Sequence, residues 1–267
     1  MRAFQSVIMC VLLLSAIATE ASAQTQQQID WCNGKGGATP DLQIGGCTAL
    51  IQSGKVQGNN LAATLGNRGN AYADKRDYDR AIPDFDQAIL INPNYANAYY
   101  NRGATYQDRG DNDRAIADFD QAIRLNPNDA RAFINRGVVY GRKGDFGRAI
   151  SDFDQVARLD PNNADAYFNR GNNYVKKSEL DRAIEDYNQA IRIRPDHRAV
   201  FASRGVAYVK KGDLARALAD YDKAIQLNPN DALTLRNRGL VKHQQGDTDG
   251  GNADIAAAGR INPNIGR

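Results

Sequence analysis

The stretch "YYNRGATYQDRG", Tyr99–Gly110, holds the signal that decides the fold. Its Asn-Arg-Gly triplet stands at 67–69, 101–103, 135–137, 169–171 and 237–239, with Ser203-Arg204-Gly205 in the remaining place, so every step is 34 residues. A fixed period of this length marks an array in which each repeat is one supersecondary unit. The triplet is also unusual inside. Asparagine is a weak helix former, and the arginine is a charge set in an apolar pattern.

Aligned on itself, the chain gives units beginning at Ala62, Ala96, Ala130, Ala164, Arg198 and Ala232. The eighth position is always glycine, the eleventh is tyrosine until Lys242, and the twentieth is alanine until Gly251. The twenty-fourth position runs Phe85, Phe119, Phe153, Tyr187, Tyr221 and Ile255, and the thirty-second is always proline. In the second unit Tyr99, Gly103 and Tyr106 are spaced as one stripe of a helix. Arg109-Gly110-Asp111 ends that helix. Ala115, Phe119, Ala122 and Ile123 form the apolar face of a second one, which Asn126-Pro127 stops. Small Gly and Ala lie where the two helices approach, and the rings fill the wider gaps. One such hairpin cannot bury its own apolar face, so neighbours must stack.

These recurring positions resemble the tetratricopeptide repeat family over Ala62 to about Ile265. The resemblance implies an all-α fold, a right-handed α-solenoid of helix hairpins. Its units are 62–95, 96–129, 130–163, 164–197, 198–231 and 232–265, the last degenerate. The chain departs from the family at the seventh position, typically apolar, where it has Arg68, Arg102, Arg136, Arg170, Arg204 and Arg238. A charge near the seam between helices is costly unless paired. Asp84, Asp118, Asp152, Asp186, Asp220 and Asp254 recur at a constant offset of 16. An Arg–Asp ladder, within or between hairpins, is therefore expected, and arginines facing a ligand are the alternative.

The family resemblance also implies that first helices line a concave face on which extended peptides lie. Asn67, Asn101, Asn135, Asn169 and Asn237, with Ser203, then form a column of side chains able to donate to and accept from a peptide backbone. The other reading is that these amides solvate the helix surface. Tyr100, Ile134 and Phe168 precede their asparagines and suggest an apolar middle. Asp74, Asp108, Arg142, Lys176 and Lys210 at the thirteenth position would make a groove acidic first and basic later, unless they only solvate helix ends. Some family members grip a chain terminus with a two-carboxylate clamp. Asn70, Asn101 and Arg131 suit it, but Gly66 and Asn135 replace its other basic residues.

The rest of the chain narrows the function. With 24% charged residues, 42% hydrophobic ones and a net charge of +3 without Lys/Arg blocks, an ordinary globular protein is expected, not a nucleic-acid binder. Met1-Arg2, the apolar run Val7 to Ala18 and Ala21-Ser22-Ala23 read as a Sec-type signal peptide over 1–23, cleaved before Gln24. An uncleaved anchor is the alternative, but the run is short for a bilayer. The mature protein would then be periplasmic or secreted, with no stable membrane insertion. There Cys32 and Cys47 read as one disulfide rather than a metal pair or redox couple. Residues 24–61 form an N-terminal capping segment, with a helix over Pro40 to Gly54 whose Leu42, Ile44, Leu50 and Ile51 are available to cover the first unit. No catalytic residue, cofactor or metal site is expected, since His197 and His243 have no Ser or Cys partner at telling spacing. The sequence points to a protein-interaction scaffold with a protein or peptide partner. A structural component working through its convex face, or an accessory subunit of an envelope enzyme, are the other readings.

Overall fold

Local chemistry sets where each helix begins and ends. In the computed structural model, which describes residue 22 and residues 25–265, no strand occurs among the described residues. The signal-peptide expectation falls outside them, Ser22 excepted. The chain divides into two units at Pro127/Asn128. The first contains helical residues 25–32 (α1), α2 (Pro40–Gln52), α3 (Gly58–Asp74), α4 (Tyr78–Ile91), α5 (Ala96–Arg109) and α6 (Asn112–Leu125). The second contains α7 (Ala130–Arg142), α8 (Phe146–Leu159), α9 (Ala164–Lys176), α10 (Leu180–Ile193), α11 (Arg198–Lys210), α12 (Leu214–Leu227), α13 (Ala232–Gln244) and α14 (Thr248–Ile261). Consecutive helices pair as antiparallel hairpins, and within each unit hairpins pack in sequence order. No proline precedes Ala62 as one does the later units, so α3 runs back to Gly58.

The second helices start on aspartate caps. The side chains of Asp77, Asp111, Asp145, Asp213 and Asp247 each accept from the N–H three residues on, filling an otherwise orphan donor. The turn before the cap needs a left-handed residue, supplied by Gly110 at φ 88°. Arg76 at φ 58° and Ser178 at φ 62° occupy the same place without glycine, which strains them. Hairpin packing explains the invariant eighth glycine. A Cβ on Gly205 would lie 2.6 Å from Tyr221 Cε1. The ring of each unit from Phe85 to Tyr221 is buried at this crossing, beside a fully buried alanine.

The arginine ladder runs through the same seam. In all six hairpins Arg Nε donates to one oxygen of the aspartate 16 residues on at 2.8–3.0 Å, and Nη2 to the other at 2.6–2.7 Å. Nη1 then reaches the neighbouring hairpin. Arg102 meets Asp86, Arg170 meets Asp154 at 2.6 Å, Arg204 meets Asn188 and Arg238 meets Asp222 at 2.6 Å. Arg68 reaches Thr48 of the cap at 3.3 Å. Burial pushes the carboxyls of Asp118 and Asp186 up, against the bonds from Arg102 and Arg170. Desolvation of the carboxyls thus opposes what pairing contributes, so the net gain of each pair is smaller than the cost of leaving one partner alone in the seam.

A second column accompanies it. Arg80, Arg114, Arg148, Arg182 and Arg216 lie 4.2–4.6 Å over the rings of Tyr72, Tyr106, Tyr140, Tyr174 and Tyr208. Four of them also pair with the capping aspartate three residues earlier, and Arg182 pairs with Glu179. The last unit loses both partners together, as Lys242 and Gly250. Lys242 Nζ instead donates to Asp254 at 2.9 Å. Burial pushes Asp254 up, yet the bonds from Arg238 and Lys242 outweigh it and hold this carboxyl below the ordinary range. Gly251 replaces the small alanine because the His243 ring fills its space, with a Cβ only 2.0 Å from Cδ2.

The N-terminal segment is tied down by a Cys32–Cys47 disulfide. Both sulfurs are buried with Leu50 against Ile29 and Val56. Ile44 packs on the Tyr72, Ala81 and Phe85 cluster, and Ile51 on the Ala62 and Leu65 cluster, so α2 covers the first hairpin. Leu42 departs from the expected packing and is 39% exposed.

Removing one partner of the ladder leaves a charge in the seam, so Asp186→Ala should lower unfolding free energy by about 3 kcal/mol. The Arg170→Met/Asp186→Leu pair should recover most of that loss, measured by urea denaturation. Reducing the disulfide, which closes a loop of 15 residues, should cost about 3 kcal/mol on the chain-entropy model; hydrogen exchange should then accelerate first in α1 and α2. The side-chain and backbone donors of the following arginine hold Asp111 below the ordinary carboxylate range. A depressed folded value means a contribution complete above about pH 4 and lost as pH falls through the depressed value. The stability gap between wild type and Asp111→Asn, followed by urea midpoints, should therefore close as pH falls below the ordinary carboxylate range.

Candidate functional site

First-helix side chains line clefts in both units. In the first unit a cleft of about 390 Å³ is lined by Asn70, Ala73, Asp74, Asn101, Ala104, Thr105 and Asp108. It joins α3 and α5, and its carboxylates are exposed. Small residues at Ala73 and Ala104 open the floor, and the amides of Asn70 and Asn101 both line it. A second cleft, of about 270 Å³, lies between the cap and α3, where Ile29, Cys32, Leu50, Val56 and Ala63 make an apolar floor. Asn67 belongs to its rim and donates through Nδ2 to Asn33 Oδ1 at 3.1 Å.

The second unit has a cleft of about 240 Å³ between α7 and α9, lined by Val138, Gly141, Arg142, Asn169, Asn172, Asn173 and Lys176 over Gly137, Phe146 and Phe153. Asn169 Nδ2 donates to Asp165 O at 2.8 Å and Asn173 Nδ2 to Asn169 O at 2.7 Å. Tyr187 donates its hydroxyl to Asn172 Oδ1 at 2.7 Å. Each of these bonds uses one polar atom of its amide, while Asn169, Asn172 and Asn173 all line the cleft.

The other expected groove residues are placed as follows. Tyr100 and Phe168 pack on the second-helix rings Phe119 and Tyr187, at centroid distances of 6.0 and 6.2 Å, and line neither first-helix cleft. Their ring contacts thus contribute to hairpin packing. Ile134, Asn135 and Asn237 are half-buried on α7 and α13 outside these clefts. Arg131 is held by Asp129, with Nε at 2.9 Å and Nη2 at 2.7 Å, so its guanidinium is already engaged. The clamp residues Asn70 and Asn101 come together, while Arg131 lies in the other unit. Sequence reasoning missed Asn172 and Asn173, which have no counterpart in the column of sixth-position amides. It also missed the arginine column over the tyrosines, although recurrence at the nineteenth position would have revealed it.

Among the described residues no group of three His, Cys, Asp or Glu is placed to hold a metal. His197 faces Asp165 at 3.1 Å beside Arg194 and packs tilted against Phe168, with ring centroids 5.2 Å apart. That cluster fastens the α10–α11 turn to α9.

Comparison with known proteins agrees with this architecture. No curated protein sequence matches. The solved structures include a tetratricopeptide repeat protein from Parabacteroides merdae ATCC 43184, 20% identical, with a TM-score of 0.65 over 92% of this chain and 94% of that one. They include MamA, 27% identical, with a TM-score of 0.60 over 64% of this chain and 93% of that one. YrrB, described as a TPR protein with an unusual peptide-binding site, is 23% identical, with a TM-score of 0.57 over 68% of this chain and 93% of that one. Tetratricopeptide repeat family matches cover residues 62–95, 96–129 and 134–198, and a further TPR repeat match covers 205–246. With its period, hairpins and buried glycine–ring crossings accounted for, the chain belongs to the tetratricopeptide repeat family.

Proposed function

We propose that this protein is an exported interaction scaffold that binds an extended segment of a partner on its first-helix faces. The observation that carries the reading is the pair of amide-bearing clefts, one at Asn70 and Asn101 and one at Asn169, Asn172 and Asn173. Carboxamides suit a peptide backbone because each offers a donor and an acceptor regardless of sequence. The neighbouring charges would choose among segments. Export is supported by the N-terminal sequence pattern and by the disulfide, which persists in oxidising compartments. No helix among the described residues is long and apolar enough to cross a membrane.

A second reading, assembly through the second-helix surface, is favoured by Leu90 on α4, which is 81% exposed. In-cell crosslinking of tagged protein separates the two. Asn70→Ala/Asn101→Ala/Asn169→Ala should lose a partner that wild type captures, while Leu90→Glu should keep it. The reverse result would assign the partner to the second-helix surface. Amino-terminal sequencing of the mature protein should begin at Gln24, and an intact Met1 would remove the export proposal.

A further inference from the structure

The α7–α9 cleft is built by departures from the repeat, and those departures fit one kind of ligand. At the twelfth position, where other units carry Ala73, Gln107, Val175, Val209 and His243, this unit has Gly141. A Cβ there would lie 3.0 Å from Asn173 Oδ1, so the missing side chain is what admits the amide to the cleft wall. Asn173 itself stands at a position otherwise held by Ala71, Thr105, Val139, Ala207 and Val241. It is only 8% exposed, and its Oδ1 accepts no bond among the described residues.

Two cations flank this amide wall. Arg142 and Lys176 both line the cleft, and neither has an ion-pair partner among the described residues. The ladder and capping arginines, by contrast, are all bonded to carboxylates or amides. A cation at a helix C-terminus is favoured by the helix dipole. That preference does not decide this position, because the first two repeats have Asp74 and Asp108 there.

Resting on the groove reading above, we infer that this cleft selects an acidic segment of a partner protein. A carboxylate of the segment lies between Arg142 and Lys176, and its backbone pairs with Asn169, Asn172 and Asn173. Charge-assisted bonds to the two cations supply the selectivity. A nucleic acid fits less well, because two cations among neutral amides offer little to a run of phosphates.

The test uses full-length mature protein and three fluorescein-labelled nonapeptides identical except at three central residues, which are glutamate, glutamine or lysine. Fluorescence anisotropy should show the glutamate peptide binding at least about tenfold more tightly than the glutamine peptide, a difference of about 1.4 kcal/mol. Arg142→Gln/Lys176→Gln should erase that preference while circular dichroism stays unchanged. Gly141→Val, a residue the fourth and fifth units tolerate at this position, should weaken the glutamate peptide by filling the cleft. Equal binding of the glutamate and glutamine peptides would overturn the inference, as would a glutamate preference that survives in the double variant. Tighter binding of a nine-nucleotide single strand, or no binding of any peptide, would also overturn it. The groove reading is tested separately by whether Asn169→Ala abolishes crosslinking to the cellular partner.

Discussion

The bidentate pair between the seventh-position arginine and the aspartate 16 residues later is the constraint on which the rest of the structure depends. Each arginine is 17–19% exposed at its side chain and sits on the crossing of its two helices. A planar guanidinium with five donors can satisfy both oxygens of one carboxylate and still reach a neighbour. That is why the third nitrogen links one hairpin to the preceding one. An apolar residue at the seventh position would pack as well, but it would not distinguish correct stacking from a shifted one. The pair therefore contributes specificity where apolar contacts alone are permissive.

The remaining packing follows from that fixed crossing. Glycine at the eighth position lets the ring of the twenty-fourth approach the first helix directly, and alanine at the twentieth keeps the backbones close. The exposed arginine column then covers the outer edge of the tyrosines while pairing with the caps of the second helices. The last hairpin shows the same logic altered locally. Losing the tyrosine and its covering arginine together leaves Lys242 to bind Asp254, and Gly251 admits the His243 ring.

The structural charges are thus consumed inside the scaffold, and the first-helix faces are free to differ between units. Around Asn101 the cleft carries Asp74 and Asp108, whereas around Asn169 it carries Arg142 and Lys176. A repeat protein can vary such positions without disturbing its fold because each unit's stability lies in the seam and in its neighbours. Substitutions in the seam should consequently read out as stability, and those in the clefts as binding.

The 34-residue period by itself determined the hairpins, the family and the partners of the ladder, because each depends on residue types that recur in phase. The isolated cysteine pair likewise determined the tie on the N-terminal segment. Tertiary structure decided what periodicity cannot express. Tyr100 and Phe168 turn to the rings of their own hairpins, and Leu42 to solvent, because helix rotation within a packed pair is a property of both partners. Asn173 is visible in the sequence only as an odd residue in an apolar column. Its place in the wall of a cleft depends on Gly141, a residue 32 positions away on a neighbouring helix, and that proximity exists only once the hairpins have stacked.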